Sequence, residues 1–246
     1  MVLQQLGKKV THLIDLQRRR ILIEQRRRTQ PDVIELAGIK LPIGDHLSQG
    51  MREALYGEYY EQSEISILKN QLRPEDIVME IGTCLGFLAS YCAKTIGSDR
   101  VFSYEGNPAL EAHIRHTYHL NQVNPTQSMC LIGEHHGEAT FYIGPSLWSA
   151  SIIQRDARFQ PTQVPVKSFN QELERINPSF LIVDIEGGEY EFMQYARFNS
   201  VTKILMELHE RVLGQEKIAA VKSQLLAAGF QIDPSQSDPD IIFLTR

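Results

Sequence analysis

Two apolar stretches, FLIVDIEG and KILMELHE, end in residues able to move a proton: Asp184 and Glu186 close the first, Glu207 and His209 the second. A carboxylate that finishes a run of buried aliphatic side chains is costly unless it has a task, so Asp184 is the leading candidate for a general base. Glu207 and His209 are two residues apart and share one face of an extended strand. His209 titrates near neutral pH and suits a base, and it fits equally well as a hydrogen-bonded structural histidine. The chemistry such a set serves is the activation of an alkyl hydroxyl, which is a poor nucleophile until a base or a metal helps remove its proton. Glu186 and Glu207 are placed on the acceptor's side of the site. Asp184, Glu207 and His209 also offer a mixed oxygen and nitrogen ligand set, but nothing in their spacing demands an ion, and no metal is expected.

A second set lies earlier in the chain. MEIGTCLG, residues 79–86, reads as the end of a buried strand, a tight turn and the start of a helix. Gly82 can take the strained turn and let a ligand approach the backbone, and Gly86 lets the helix begin close to the sheet. Nineteen residues beyond Gly86, Glu105 ends the next strand, where a carboxylate can accept hydrogen bonds from both hydroxyls of a ribose. A dinucleotide fingerprint would need glycine at 84 and 87, where Cys84 and Phe87 stand. Glu80, directly before the turn, would repel a pyrophosphate but favours a sulfonium or ammonium group. The pattern therefore points to S-adenosylmethionine, with Glu80, Gly82, Thr83, Leu85, Gly86, Glu105, Gly106 and Asn107 as candidate cofactor residues. Glu134, in the loop after the third strand, is placed near the adenine amine, a plain turn being the equal alternative.

These residues need a scaffold that brings strand ends together. Short apolar strands alternate with helices from residue 76 onward, which means a parallel sheet covered on both faces. The strands expected are DIVMEIG, RVFSYEG, SMCLIG, FLIVDIEG and KILMELHE, with EATFYIG and QVPVKSF as extra strands and FQID and IIFLT closing the chain. Ligands in such sheets bind beyond the carboxyl ends of the strands, near the reversal of strand order. Residues 144–163 form a long polar connection holding the only tryptophan, Trp148. Its aromatic face suits a ring-shaped acceptor, and a packed tryptophan in a strand-capping loop is the even alternative.

Three stretches carry a resemblance to a known family. YEGNP at 104–108, LIVDIEGGEYEFM at 181–193 and ILMELHE at 204–210 resemble, in order and spacing, the motifs of the FkbM-type methyltransferases. Gly106 stands where that family often has proline and Gly188 where alanine is common; neither change removes a functional group. The lead-in YYEQSE, residues 59–64, resembles the family's helix before the first strand, whose acidic residues lie near the cofactor. The resemblance implies a class I methyltransferase (Rossmann-like) α/β fold, a seven-stranded, mostly parallel sheet with helices on both faces. It also implies methyl transfer from S-adenosylmethionine to an oxygen, usually a hydroxyl of a sugar, glycan or polyketide-like metabolite. Alternatives are an N-methyltransferase on a small metabolite and a non-catalytic adenosyl-binding interaction protein.

The rest of the chain sets boundaries. Residues 1–50 are read as an N-terminal helical arm and linker, and 51–246 as the methyltransferase domain. Residues 1–30 carry a net charge of +6, against −5 for the whole chain, so the remainder is strongly acidic and gives no reason to expect nucleic acid. Leu3, Leu6, Val10, Leu13 and Leu16 recur at helical spacing in the arm. That stripe predicts packing on the core or on a second copy, a homo-oligomer, rather than a purely electrostatic tail. No apolar run approaches the ~18 residues of a membrane span. Three cysteines with no CxxC pair, and no signal-peptide pattern, lead to the expectation of reduced thiols in a cytoplasmic protein.

Overall fold

The protein is described from a computed structural model that covers residues 2–144, 150–151 and 157–246. It opens with helix α1 (Val2–Thr29), a hairpin of β1 (Val33–Leu36) and β2 (Ile39–Pro42), and helices α2 (Gln49–Tyr56) and α3 (Gln62–Gln71). The sheet core follows as β3 (Val78–Ile81), α4 (Phe87–Ile96), β4 (Val101–Glu105), α5 (Glu111–Asn121) and β5 (Thr126–Met129). An insertion then contributes β6 (Leu131–Gly133), β7 (Gly137–Ile143), β8 (Ala150–Ser151) and β9 (Gln160–Ser168). The chain returns through α6 (Phe169–Ile176), β10 (Phe180–Val183), α7 (Glu189–Met193), β11 (Lys203–Glu207), α8 (Glu210–Ala227), β12 (Gln231–Ile232) and β13 (Ile241–Thr245).

Among the described residues seven strands form the main sheet, in the order β12-β13-β11-β10-β3-β4-β5. The five from β11 to β5 run parallel, and β13 is antiparallel to both of its neighbours. This is the mostly parallel architecture expected from the sequence. The two central strands, β3 and β10, are buried at every position, as unbroken aliphatic runs require when helices cover both faces. The chain leaves β3 toward β4 and β5, and leaves β10 in the opposite direction toward β11. Their adjacent carboxyl ends are therefore the switch point of the sheet, where a crevice must open. Two apolar clusters fill the two faces, one around Phe87, Ile114 and Phe180, the other around Phe169, Phe192 and Phe198.

Two local features differ from the sequence reading, and a third concerns helix α8. The turn-rich segment 31–50 contains the β1–β2 hairpin, whose alternate residues Ile34, Leu36, Ile39 and Leu41 are buried in the same cluster as the sheet. Its two-residue turn, Ala37 and Gly38, has φ of 49° and 80°, the left-handed pair that matches strand twist. Asn121 at the end of α5 anchors it by exchanging hydrogen bonds with the backbone of Lys40, at 2.8 and 2.7 Å. The expected third strand breaks at Cys130: β5 stays in the main sheet, while β6 pairs with β9 in a separate four-stranded sheet of order β6-β9-β7-β8. Helix α8 begins at Glu210 and is interrupted at Gly214, whose φ of 78° and ψ of 161° are non-helical.

The arm is tied down by charge. Arg26 donates to the carbonyl of Tyr56 at 2.6 Å and pairs with Glu58 at 2.7 Å; Arg18 reaches the same Glu58 at 2.5 Å. Arg27 pairs with Glu53, and Ile23 packs against the core. By contrast Leu13 and Leu16, two members of the apolar stripe, are exposed in the single chain, as are Ile14 and Ile21. Leu3, Leu6 and Val10 lie where side chains are outside the described set. Deleting residues 1–30 removes the arginine pairs on Glu58. A loss of ~1 kcal/mol or more is expected, which lowers the melting temperature by about 2–4 °C per kcal/mol in a chain of this size. Thermal melting and light scattering of the truncated protein check this; unchanged melting temperature and unchanged mass would sink it.

Candidate active site

The crevice predicted by the strand order is present as a cavity of about 400 Å³, within the range that holds small ligands. Gly82 and Asp184, which end β3 and β10, meet at its floor. The amide of Asp184 donates to the carbonyl of Ile81 at 2.9 Å, and the amide of Gly82 to the carbonyl of Tyr104 at 2.9 Å. Gly82 has φ +88°, and a Cβ there would sit 1.7 Å from the carbonyl oxygen of Asp184. Only glycine fits, because both the backbone conformation and the neighbouring strand exclude a side chain.

Part of the cavity is formed around Glu105. Glu105, at the end of β4, is buried, and both its oxygens are positioned by backbone amides: Cys84 donates to Oε2 at 3.0 Å and Asn107 to Oε1 at 2.7 Å. Cys84 can aim its amide this way because it adopts a left-handed φ of 49°. Burial pushes the Glu105 carboxyl up to about 7, although the Asn107 and Cys84 amides favour its charged form. Each oxygen keeps acceptor capacity toward the cavity. Leu110, Leu131, Ile132 and Phe141 supply an apolar wall beside Gly106. That wall approaches so closely that a Cβ on Gly106 would lie 2.5 Å from Leu131. A fixed diol acceptor next to an apolar slot fits adenosine.

Another part is acidic. Glu61, Glu64, Asp184, Glu186 and Glu207 all line the cavity. His209 stands behind Asp184 and Glu207, with its Nδ1 2.6 Å from Oε1 of Glu189. Its Nε2 faces Asp184 and Glu186 at 3.7 Å each and Glu207 at 3.8 Å. Burial alone would discourage charge on His209, but the bond to Glu189 and the field of Asp184 outweigh it, and its pKa rises to about 9. Burial, reinforced by Glu207 and Glu186, pushes the Asp184 carboxyl well above the ordinary range. Burial raises Glu61 in the same direction and brings Glu64 to about 7. A region with this much negative potential favours a cationic ligand such as a sulfonium with its ammonium.

The structure sorts the sequence candidates into those that face the cavity and those behind it. Gly82, Glu105, Gly106, Asp184, Glu186 and Glu207 face it. Glu80, Thr83, Leu85 and Asn107 are buried behind the turn. Glu80 keeps one oxygen without a partner among the described residues, and burial pushes its carboxyl up to about 8. Asn107 accepts from the amide of Ala109, capping a short helical turn. Gly86, with φ +74°, makes room for Tyr118 and Ile114 of α5 rather than for the sheet. Glu134 is exposed, and its carbonyl accepts the Ser168 hydroxyl at 2.8 Å. Trp148 lies outside the described residues. Glu189 accepts the Gly187 amide at 3.1 Å and also holds His209. That pairing spans twenty residues and has no signature in the sequence. Tyr60, Glu61 and Glu64 were signalled only by the resemblance of YYEQSE.

Comparison with known proteins is consistent with this geometry. No curated protein sequence matches the chain significantly. Among solved structures, a methyltransferase from Pyrococcus furiosus is similar at 12% identity and a TM-score of 0.49, covering 85% of this chain and 90% of its own. A precorrin-6y C5,15-methyltransferase from Geobacter metallireducens is similar at 10% identity and a TM-score of 0.46, covering 76% and 89%. A putative O-methyltransferase from Klebsiella pneumoniae is similar at 13% identity and a TM-score of 0.40, covering 92% and 87%. Residues 76–232 match the Methyltransferase FkbM domain, a stretch that runs from β3 through β12 and takes in the cavity lining except Met51, Tyr60, Glu61 and Glu64. With that match over most of its length, the chain belongs to the FkbM methyltransferase family and is an S-adenosylmethionine-dependent methyltransferase.

Proposed function

We propose that this methyltransferase transfers its methyl group to a hydroxyl oxygen of a small polar acceptor, of the sugar, glycan or polyketide-like class. The observation that carries the reading is the convergence of Asp184, Glu186 and Glu207 on His209 beside the cavity that Glu105 also lines. A neutral amine attacks a sulfonium methyl unaided, whereas an alkyl hydroxyl must give up its proton. A wall of proton-accepting groups is what the second case requires, and carboxylates also accept hydrogen bonds from neighbouring hydroxyls of a polyol.

In this reading the cofactor supplies an activated methyl group, and the protein supplies position and a proton acceptor. Glu105 takes the ribose hydroxyls, Gly82 and Gly106 let the ligand lie against the backbone, and the apolar wall around Leu131 and Phe141 takes the adenine. Glu61 and Glu64 lie near the ammonium. Asp184 receives the proton of the acceptor hydroxyl. His209, held by Glu189, keeps the Asp184 carboxylate compensated and oriented. Glu186 and Glu207 hold the acceptor's remaining hydroxyls. Placing the acceptor oxygen in line with the methyl group, rather than further activating the donor, is then the main source of rate.

The test is product identification. Incubation with a methyl-labelled donor and panels of glycosides and of polyamines is expected to label the glycosides, with the methyl group on oxygen by mass spectrometry and NMR. Labelling confined to nitrogen would replace this reading with N-methyl transfer. Glu105→Ala removes the diol acceptor and is expected to weaken S-adenosylhomocysteine binding by about 1.5–3 kcal/mol, measured by calorimetry; unchanged affinity would show that Glu105 does not hold the ribose. Asp184→Asn keeps the shape and removes the proton acceptor. Turnover is expected to fall by ~10²–10⁴ with cofactor affinity nearly intact. A matching loss of cofactor binding would make Asp184 a binding residue instead.

A further inference from the structure

We propose that Asp184, Glu207 and His209 bind a first-row divalent metal cation at the acceptor end of the cavity. The role of that cation rests on the O-methyl transfer reading; its binding does not.

Three independent features of the geometry lead to this assignment. The first is the orientation of the imidazole. Glu189 has no exposed surface, and its Oε1 engages Nδ1 of His209 at 2.6 Å while also accepting the Gly187 amide at 3.1 Å. A buried carboxylate on one ring nitrogen fixes the tautomer and turns the other nitrogen outward as a ligand, which is the usual support for a metal-bound histidine. The second is what that outward nitrogen meets. Oδ1 of Asp184 and Oε2 of Glu186 stand 3.7 Å from Nε2, and Oε1 of Glu207 3.8 Å. Each distance is too long for a hydrogen bond. Two donors that share an ion at about 2.1 Å each stand about 3.0–3.7 Å apart, so these imidazole–carboxylate separations lie at the edge of the range an ion spans. One ligand atom from each of Asp184, Glu207 and His209 lies within 4.8 Å of the others. The third is an orphaned atom. Oδ1 of Asp184 is shielded from water and has no hydrogen-bond partner among the described residues, although it points at the same place.

The ligand types narrow the ion. One imidazole and two carboxylates suit Mn²⁺, Fe²⁺ or Zn²⁺ better than Mg²⁺, which prefers oxygen alone. Because Asp184 and Glu207 line the cavity and His209 stands behind them, the open coordination positions face the acceptor. An acceptor hydroxyl bound there ionises more readily, and the cation takes over the charge compensation that a protonated His209 otherwise provides.

Mn²⁺ titration followed by electron paramagnetic resonance, with and without S-adenosylhomocysteine, tests the assignment. One Mn²⁺ per chain is expected, retained when S-adenosylhomocysteine is added. His209→Gln and Glu207→Gln are each expected to weaken Mn²⁺ at least tenfold, while S-adenosylhomocysteine still binds and so reports an intact fold. Absence of Mn²⁺ binding, or equal affinity in both variants and the parent, overturns the proposal. So does displacement of Mn²⁺ by S-adenosylhomocysteine mole for mole, which would make the cluster the ammonium subsite. Failure here is separable from failure of the functional reading: O-methylated product without Mn²⁺ binding removes only the metal, and Mn²⁺ binding with N-methylated product removes only the acceptor class.

Discussion

The whole site depends on the contact between Gly82 and the carbonyl of Asp184. Those residues end the two central strands, and the approach is so close that no side chain fits at Gly82. The same few atoms link three strands, because the Gly82 amide bonds to Tyr104 at the end of β4 and the Asp184 amide bonds to Ile81 at the end of β3. Glu105 and Asp184 are thereby set in one frame, both lining the cavity. Cys84 and Glu186, in the turns that follow, adopt left-handed backbone angles without being glycine. Each costs on the order of 1 kcal/mol or more, and both occur where the chain must aim a group into the cavity.

On this frame the protein gathers acid. Glu61, Glu64, Asp184, Glu186 and Glu207 line the cavity, and the imidazole of His209 stands 3.7–3.8 Å from three of them. Burial raises the proton affinity of several of them, so the cluster holds protons or cations readily. The electrostatics thus favour a positively charged donor and a group that must lose a proton, and they disfavour a phosphate-bearing ligand. Away from the cavity Asp76 and Lys203 pair at 2.6 Å and join the far ends of β3 and β11.

The N-terminal helix is tied to the chain beside the cavity's edge. Its arginines reach Glu58 and the carbonyl of Tyr56, immediately before Tyr60 and Glu61, which line the cavity. Glu58 and Glu61 both have positive φ, so this short segment is held in its path by contacts and not by local preference. The arm's charge therefore has a structural use within the chain, while Leu13, Ile14 and Ile21 remain on its outer surface.

The sequence alone determined the alternation of strand and helix, the exclusion of a dinucleotide by Cys84 and Phe87, and the acidic strand ends at Glu105, Asp184 and Glu207. These are local properties, fixed by apolar runs, glycine positions and the type of residue that interrupts them. Its family motifs also pointed to the methyl donor. Tertiary structure alone decided which candidates face the ligand. Glu80, Thr83 and Leu85 adjoin Gly82 in sequence yet lie behind it, because a turn that exposes backbone on one side must bury side chains on the other. The departure of β6 from the main sheet at Cys130 and the burial of the 33–42 hairpin were likewise invisible, since both depend on partners far along the chain. The pairing of Glu189 with His209 is the clearest case: His209 reads locally as a strand-end residue and nothing in the sequence links it to Glu189, and only the packing of α7 beside the start of α8 brings a buried carboxylate onto the imidazole.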